Sequence, residues 1–199
     1  HRQMGKRTRH AVNYDMHAGR HAEELAKSDV YITETEASDM LNRLLLTDPY
    51  IEVYQASRRR EVMQNRKLIN TWGREYWFDM DLLDDEAYRR AYAFQPQSEV
   101  ADVTNQWGII AGHRYIKDRQ LRSRLLAQKH DEALFSVDPL EAWELYQFVL
   151  DRLQQPRIYR GVELRVPADV FLGRNWGEKR EFTMPPCREE FEAAIGELL

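Results

Sequence analysis

One cysteine, nine glycines and seven prolines in 199 residues leave few ways to staple, hinge or break this chain. A single cysteine, Cys187, excludes an internal disulfide and is too few for a cysteine metal cluster. No apolar run approaches the length of a bilayer span, and the basic N-terminal stretch lacks the apolar core of a signal peptide. The sequence therefore predicts a soluble, cytoplasmic protein with no membrane partner. An excess of positive charge is missing as well. Lys and Arg number 29 against 33 Asp and Glu, a net charge of −4. Nucleic-acid binding would have to rest on local clusters such as Lys6-Arg7-Thr8-Arg9 and Arg58-Arg59-Arg60, and runs of this kind are more often solvated helix faces. The length suits one core with a smaller lobe attached, and there is no internal repeat or low-complexity linker.

What is present is a run of helical patterns followed by strand-like ones. Arg2 to Ala18 has no breaker except Gly5, and Gly19 is placed to stop it. Along it Arg2, Lys6, His10 and Tyr14 recur every four residues, one ridge that a single ligand could touch. Two cations in the opening turns of a helix suit a polyphosphate, although a solvent-facing basic helix has the same spacing. Thr33 with Glu36 forms a capping-box pattern for a helix over 34–46. Asp48-Pro49 opens another to about Arg66, with Ile51, Val53, Tyr54 and Val62 inward and Arg58 to Arg60 in water. Residues 68–78 read as two short strands turning at Gly73, their aromatics in the core. A helix over 84–93 is expected to break at Pro96, before an amphipathic helix from Ser98 to about Ile116. Helices over 139–153, with Leu140 apolar, and 189–199 flank a strand-like segment over 160–172, and the stretch from Glu178 reads as loosely tied. Helices first and strands later argue an α+β fold.

Residues 121–137 form the exception to simple packing logic. Two strand-like runs flank His130-Asp131-Glu132, which predicts a β-hairpin presenting two adjacent carboxylates at its tip. Adjacent acids in a tight turn repel one another. A divalent cation removes that repulsion, and hard carboxylate oxygens suit magnesium. A merely solvated acidic turn is the competing reading.

Four patterns in order then resemble the C-terminal part of family A DNA polymerases, the DNA polymerase I-like group. Arg2-x3-Lys6-x7-Tyr14 fits the fingers-helix motif R-x3-K-x7-Y-G. Thr71-Trp72-Gly73-Arg74 resembles T-x-x-G-R. Arg89, with Gln97 inside Gln95-Pro96-Gln97-Ser98, resembles the segment that contacts primer and template. Gln128-Lys129-His130-Asp131-Glu132 resembles the palm signature Q-x-H-D-E, and Gly173-x-Asn175-Trp176 matches the usual C-terminal ending. The resemblance implies fingers helices over 1–70 and a palm portion over 71–199, with its catalytic hairpin at 121–137. Arg2 and Lys6 would hold the phosphates of a deoxynucleotide, Lys6 also serving as proton donor. His10 would lie against sugar and base, and Tyr14 would stack at the nascent pair. Asp131 would bind catalytic Mg2+ with Glu132 nearby, and His130, Arg74, Arg89 and Gln97 would touch DNA primer-template.

Three departures qualify it. His10 stands where the family has Phe or Tyr, and Asp15 stands where it has glycine, putting a negative charge near a polyanion. The first palm motif, D-x-S-x-x-E-x-R, which supplies the other metal-binding aspartate, is not among these residues. The sequence thus predicts a chain that polymerises only with a second polypeptide or preceding segment carrying that aspartate, the thumb and, where the enzyme has one, an exonuclease. It also predicts a large apolar interface with that half. A bacterial host cell or its nucleoid is the implied location, with a split form suggesting a bacteriophage. Two rival functions remain. A single-subunit RNA polymerase shares the architecture but usually carries a small residue where Glu132 stands, and an inactive polymerase-derived binding module would fit Asp15.

Overall fold

Helix α1, Arg2–Asn13, opens a structure that describes residues 2–79, 83–159, 161–182 and 185–199 of the chain in a computed structural model, the side chains of Arg2 and Gln3 excepted. Its end is not where the glycine pattern put it. Asp15, at φ 54°, takes the left-handed conformation. Its N–H donates to the Val12 carbonyl at 3.2 Å, and that of Met16 to the Ala11 carbonyl at 2.9 Å. This pair of bonds is a Schellman closure, whose left-handed position is usually glycine. Gly19 instead lies inside α2, Ala18–Ala26. Asp29, at φ 58°, closes α2 by the same two bonds, to Ala26 and Leu25.

The chain divides into two compact units, 1–99 and 100–199. In the first, His21 of α2 is buried and its Nε2 lies 3.1 Å from the Thr8 hydroxyl of α1. Thr8 spends its one proton on the Met4 carbonyl at 2.9 Å, so the His21 ring must be the donor there. Burial lowers the pKa of His21, favouring the neutral ring. Helix α3, Glu34–Thr47, opens with the expected capping box between Thr33 and Glu36.

Helix α4, Tyr50–Asn65, buries Ile51, Arg58 and Val62. Two expectations fail here. Val53 is exposed, off the inward stripe, and Arg58, four residues before Val62, lies on it. The Arg58 guanidinium keeps its charge satisfied against Glu61 at 2.9 Å and lies over the Tyr54 ring. The antiparallel strands β1, Lys67–Ile69, and β2, Glu75–Trp77, turn at Gly73, whose φ is +81°. Phe78 is core, packed with Val62, Leu68, Ala87 and Ala91, whereas Trp77 is exposed under the Lys67 ammonium.

Helix α5 runs Asp85–Val103 straight through Pro96. Proline has no N–H to give the carbonyl four residues back, which is Tyr92. The Tyr54 hydroxyl donates to that carbonyl at 3.0 Å instead, so no break occurs.

In the second unit a π-helical stretch, Thr104–Ile110, leads into α6, Ala111–Asp118, closed by Gln120 at φ 55°. A side chain on Gly112 would meet Phe135 at 3.1 Å and Val149 at 3.2 Å. That bare position seats the hairpin of β3, Arg124–Lys129, and β4, Glu132–Ser136, together with α7, Ala142–Leu153. Helix α7 starts later than expected. The Asp138 carboxylate accepts from the Leu140 N–H at 3.0 Å, an Asx turn that leaves Leu140 almost fully exposed. The remaining strands are two further hairpins, β5, Arg157–Tyr159, with β6, Val162–Leu164, and β7, Val170–Gly173, with β8, Lys179–Phe182. The stretch after Glu178, expected to be loose, is thus paired in β8, while Arg160 lies outside the described residues. Helix α8, Arg188–Leu198, stacks Phe191 on Tyr146 of α7, ring centroids 4.6 Å apart. Helices with small antiparallel hairpins make the α+β fold that the sequence predicts.

Candidate functional site

The acidic tip is a two-residue turn. Lys129 pairs with Glu132, leaving His130 and Asp131 to make the reversal. His130 sits at φ 54°, a conformation that costs a side-chain-bearing residue roughly 1 kcal/mol or more. Where a two-residue hairpin needs positive φ at its first central position, glycine is the usual solution, and here a histidine takes its place. The turn is built rather than loose. From the π-helical stretch Asn105 Oδ1 accepts from Gln128 Nε2 at 2.6 Å, and the Thr104 hydroxyl reaches the Asp131 carbonyl at 3.5 Å. Gln128 Nε2 also donates to the His130 carbonyl at 3.2 Å. A β-bulge at Leu126 bends the strand leading in.

The far end of the hairpin is anchored by Glu141. Its carboxylate accepts from the Arg122 N–H at 2.8 Å, the Ser123 N–H at 2.9 Å and the Ser123 hydroxyl at 2.7 Å. The Arg122 backbone bond, chiefly, lowers the Glu141 pKa. Lys129 lies over the Trp176 ring, centroid 5.2 Å away, beside a β7–β8 turn held by Asn175 Oδ1 accepting from Gly177 and Glu178.

The carbonyls of His130 and Asp131 are thus engaged while their side chains are left free. Among the described residues no hydrogen bond or ion pair engages the side chains of His130, Asp131 or Glu132, and all three are exposed. Two hard carboxylates, unneutralised and 1 residue apart, fit a divalent cation such as magnesium. One hairpin is only part of such a site: among the described residues no three His, Cys, Asp or Glu side chains come together.

In the first unit Lys6 is exposed on α1, and His10 and Tyr14 touch edge-to-face, ring centroids 4.5 Å apart. The Arg2 side chain lies outside the described residues. Beside Tyr14 a cavity of about 300 Å³ is walled by Tyr50, Tyr54, Tyr92 and Pro96. Asp15 accepts from Arg59 Nη2 at 3.0 Å, and Arg59 Nε also donates to the Tyr92 hydroxyl. Burial raises the pKa of Tyr92, which keeps that hydroxyl neutral. Arg74 lies in the β1–β2 turn. That turn is held by buried Asn70, whose Oδ1 accepts from the N–H of Trp72 at 3.0 Å and of Arg74 at 2.9 Å. Three positions before Gly73, Asn70 occupies the first place of T-x-x-G-R, while the N–H and hydroxyl of Thr71 both donate to the Glu99 carboxylate, at 2.7 and 2.6 Å. Arg89 is half-buried on α5 and Gln97 is exposed there.

Sequence reasoning missed Arg59, Tyr92, Asn70, Thr104 and Asn105. Two signals were there to find: Asn70 stands three residues before Gly73, and Gln55 and Arg59, four apart on α4, share a helix face from which Gln55 Nε2 donates to the Val12 carbonyl of α1 at 2.9 Å.

This α+β arrangement has a counterpart among solved polymerase structures. The POL domain of Pol1 from M. smegmatis, in complex with DNA primer-template and dNTP, matches with a TM-score of 0.66 at 25% identity, covering 77% of this chain and 27% of that one. The family model for DNA polymerase family A matches residues 1–178, and the chain belongs to that family. DNA polymerase I of Treponema pallidum (strain Nichols) is 26% identical over 184 residues, 89% of this chain and 17% of that protein. DNA polymerase I of Helicobacter pylori (strain J99) is 24% identical over 174 residues, 84% of this chain and 19% of that protein. The chain thus spans under a fifth of the length of these two relatives.

Proposed function

We propose that this chain is the fingers and C-terminal palm portion of a DNA-directed DNA polymerase, adding deoxynucleotides to a primer 3′ end on a DNA template. The observation that carries the reading is the free Asp131 carboxylate on a strained, well-supported hairpin tip in a chain of this family. Asp131 holds magnesium there, and Glu132 adds negative charge to the same edge. When bound, the metal neutralises charge on the attacking and leaving oxygens of the phosphoryl transfer. The second metal-binding aspartate comes from a D-x-S-x-x-E-x-R segment, joined to this one or separate, so activity belongs to the completed site.

The other roles follow from charge and placement. The Lys6 ammonium, exposed and without an ion-pair partner among the described residues, binds the triphosphate of the incoming nucleotide and gives a proton to the departing pyrophosphate. Arg2, one turn earlier on the same ridge, adds a second cation. His10 and Tyr14 offer an aromatic pair to the sugar and the nascent base pair. His130, Arg74, Arg89 and Gln97 contact primer and template. Asp15 does not argue for a retired site, since its charge is matched by Arg59.

The test is templated primer extension with magnesium by this chain together with the polypeptide that carries the second aspartate. Extension with deoxynucleotides is expected. Extension only with ribonucleotides would replace this reading by an RNA polymerase, and duplex binding without extension by a binding module.

A further inference from the structure

Asp15 stands where the fingers motif ends in glycine, and the structure shows two things about it at once. It takes the left-handed backbone conformation, φ 54°, that makes glycine useful there, and its half-exposed carboxylate meets a cation. Arg59 Nη2 lies 3.0 Å from Asp15 Oδ2. Arg59 in turn donates through Nε to the Tyr92 hydroxyl and rests over the Tyr88 ring, centroid 4.9 Å away. One turn earlier on α4, Gln55 Nε2 donates to the Val12 carbonyl at 2.9 Å and the Asn13 carbonyl at 3.4 Å. Gln55 and Arg59 therefore clasp the last turn of α1 from one face of α4, one by its carbonyls and one by its carboxylate. Between those two clasped points sits Tyr14, which lines the same cavity as Tyr54 and Tyr92.

We propose that Asp15 and Arg59 form an ion-pair strut that positions Tyr14, and through it the His10–Tyr14 face of α1, for nucleotide selection. A glycine leaves the end of the helix free to pivot. Asp15 keeps the glycine-like turn and adds a tether to α4 and α5. Its charge is then a structural anchor rather than a repulsive neighbour for the triphosphate. Asp15 and Arg59 are positioning residues, since neither side chain is assigned a contact with substrate. The inference rests on the polymerase reading for its functional half and on the geometry alone for its structural half.

Two measurements on the completed polymerase separate those halves. Asp15→Asn removes the charge but keeps a side chain tolerant of the left-handed region. Arg59→Gln removes the other partner, and the double variant closes a cycle. Hydrogen exchange over residues 10–16 needs no catalysis, and each single variant should exchange faster there, with the double no faster than either. The two side chains are 46% and 44% exposed, which limits the pair to a two- to about fivefold effect. The KM for the incoming deoxynucleotide should rise by about that factor in each single variant, with kcat moving less, and not further in the double. Arg59→Lys should recover part of the loss.

A lowered KM in Asp15→Asn, with exchange unchanged, would overturn the proposal and make Asp15 a simple repulsive charge. Additive effects in the double variant would overturn it too. Coupled exchange in a protein that extends no primer would uphold the strut and sink the polymerase reading alone.

Discussion

Asp15 and His130 share a positive φ, 54° at each, and neither is the glycine that such positions favour. The two turns use it in opposite ways. At the end of α1 the strained residue is tied down: Asp15 meets Arg59, Gln55 holds the neighbouring carbonyls, and the segment is a packed joint. At the hairpin tip only backbone groups are tied down, by Thr104 and Gln128, while the side chains of His130 and Asp131 stay uncommitted. A left-handed residue with its side chain bonded serves architecture. One whose side chain is free, beside a free carboxylate, leaves both groups available to a ligand.

Substitutions break this comparison most sharply at the carboxylates. Asp131→Asn should cut incorporation by the completed enzyme by about 10³-fold or more in single-turnover extension, the scale of losing a central electrostatic group. Loss of only severalfold, as expected at Asp15, would place the two turns in one class. Next in size is the seat of the hairpin. Gly112→Leu forces Phe135 and Val149 aside, and the thermal midpoint should fall by the equivalent of about 1–3 kcal/mol, the cost of overpacking. A third pair of variants addresses strain directly. His130→Gly should stabilise by about 0.5–1 kcal/mol, because no side-chain bond is lost with the strain. Asp15→Gly should change stability by about 0.5 kcal/mol or less, since relief of strain is offset by loss of the Arg59 pair. Denaturant midpoints read both, and equal gains at the two positions would refute the distinction.

The smallest expected effects are two pH dependences, one in each unit. His21 is held neutral by burial, its folded pKa lying below the usual 6.5. In acid the unfolded chain takes up that proton first, so stability should fall as pH drops below about 6.5 and level off once the folded ring is protonated as well. Glu141 has a lowered pKa from its bonds to residues 122 and 123, so its contribution is present above the usual carboxylate range and is lost as pH falls through it. His21→Gln and Glu141→Gln, melted across pH 4 to 8, should each flatten one part of the curve. The expected order is His21 near neutrality and Glu141 only in acid.

The hairpin was legible because its evidence is local: two strand-like runs separated by a few charged residues make a hairpin with Asp131 at its turn. The capping box at Thr33 was legible for the same reason. What misled was punctuation. Gly19 and Pro96 look like breaks, yet Asp15 closes α1 with the bonds glycine would have allowed, and Tyr54 supplies from another helix the hydrogen bond that Pro96 lacks. The first is local but carries no glycine to mark it, and the second comes from a residue 38 positions before the carbonyl it meets, which no local pattern announces. Arg58 misled in a similar way, since charge argues for water while its place on the stripe with Ile51 and Val62 dictates burial. The supports of the hairpin tip and of Asp15 were not readable: Thr104, Asn105 and Arg59 are ordinary polar residues until folding brings their partners close.

The most direct test of the central claim is manganese binding, followed by electron paramagnetic resonance, in the completed enzyme with primer-template and a non-reacting nucleotide. Two bound ions per complex are expected, with one or both lost in Asp131→Asn and both retained in Asp15→Asn. Undiminished binding in Asp131→Asn would mean that the hairpin tip holds no metal, and the account of this site would fall.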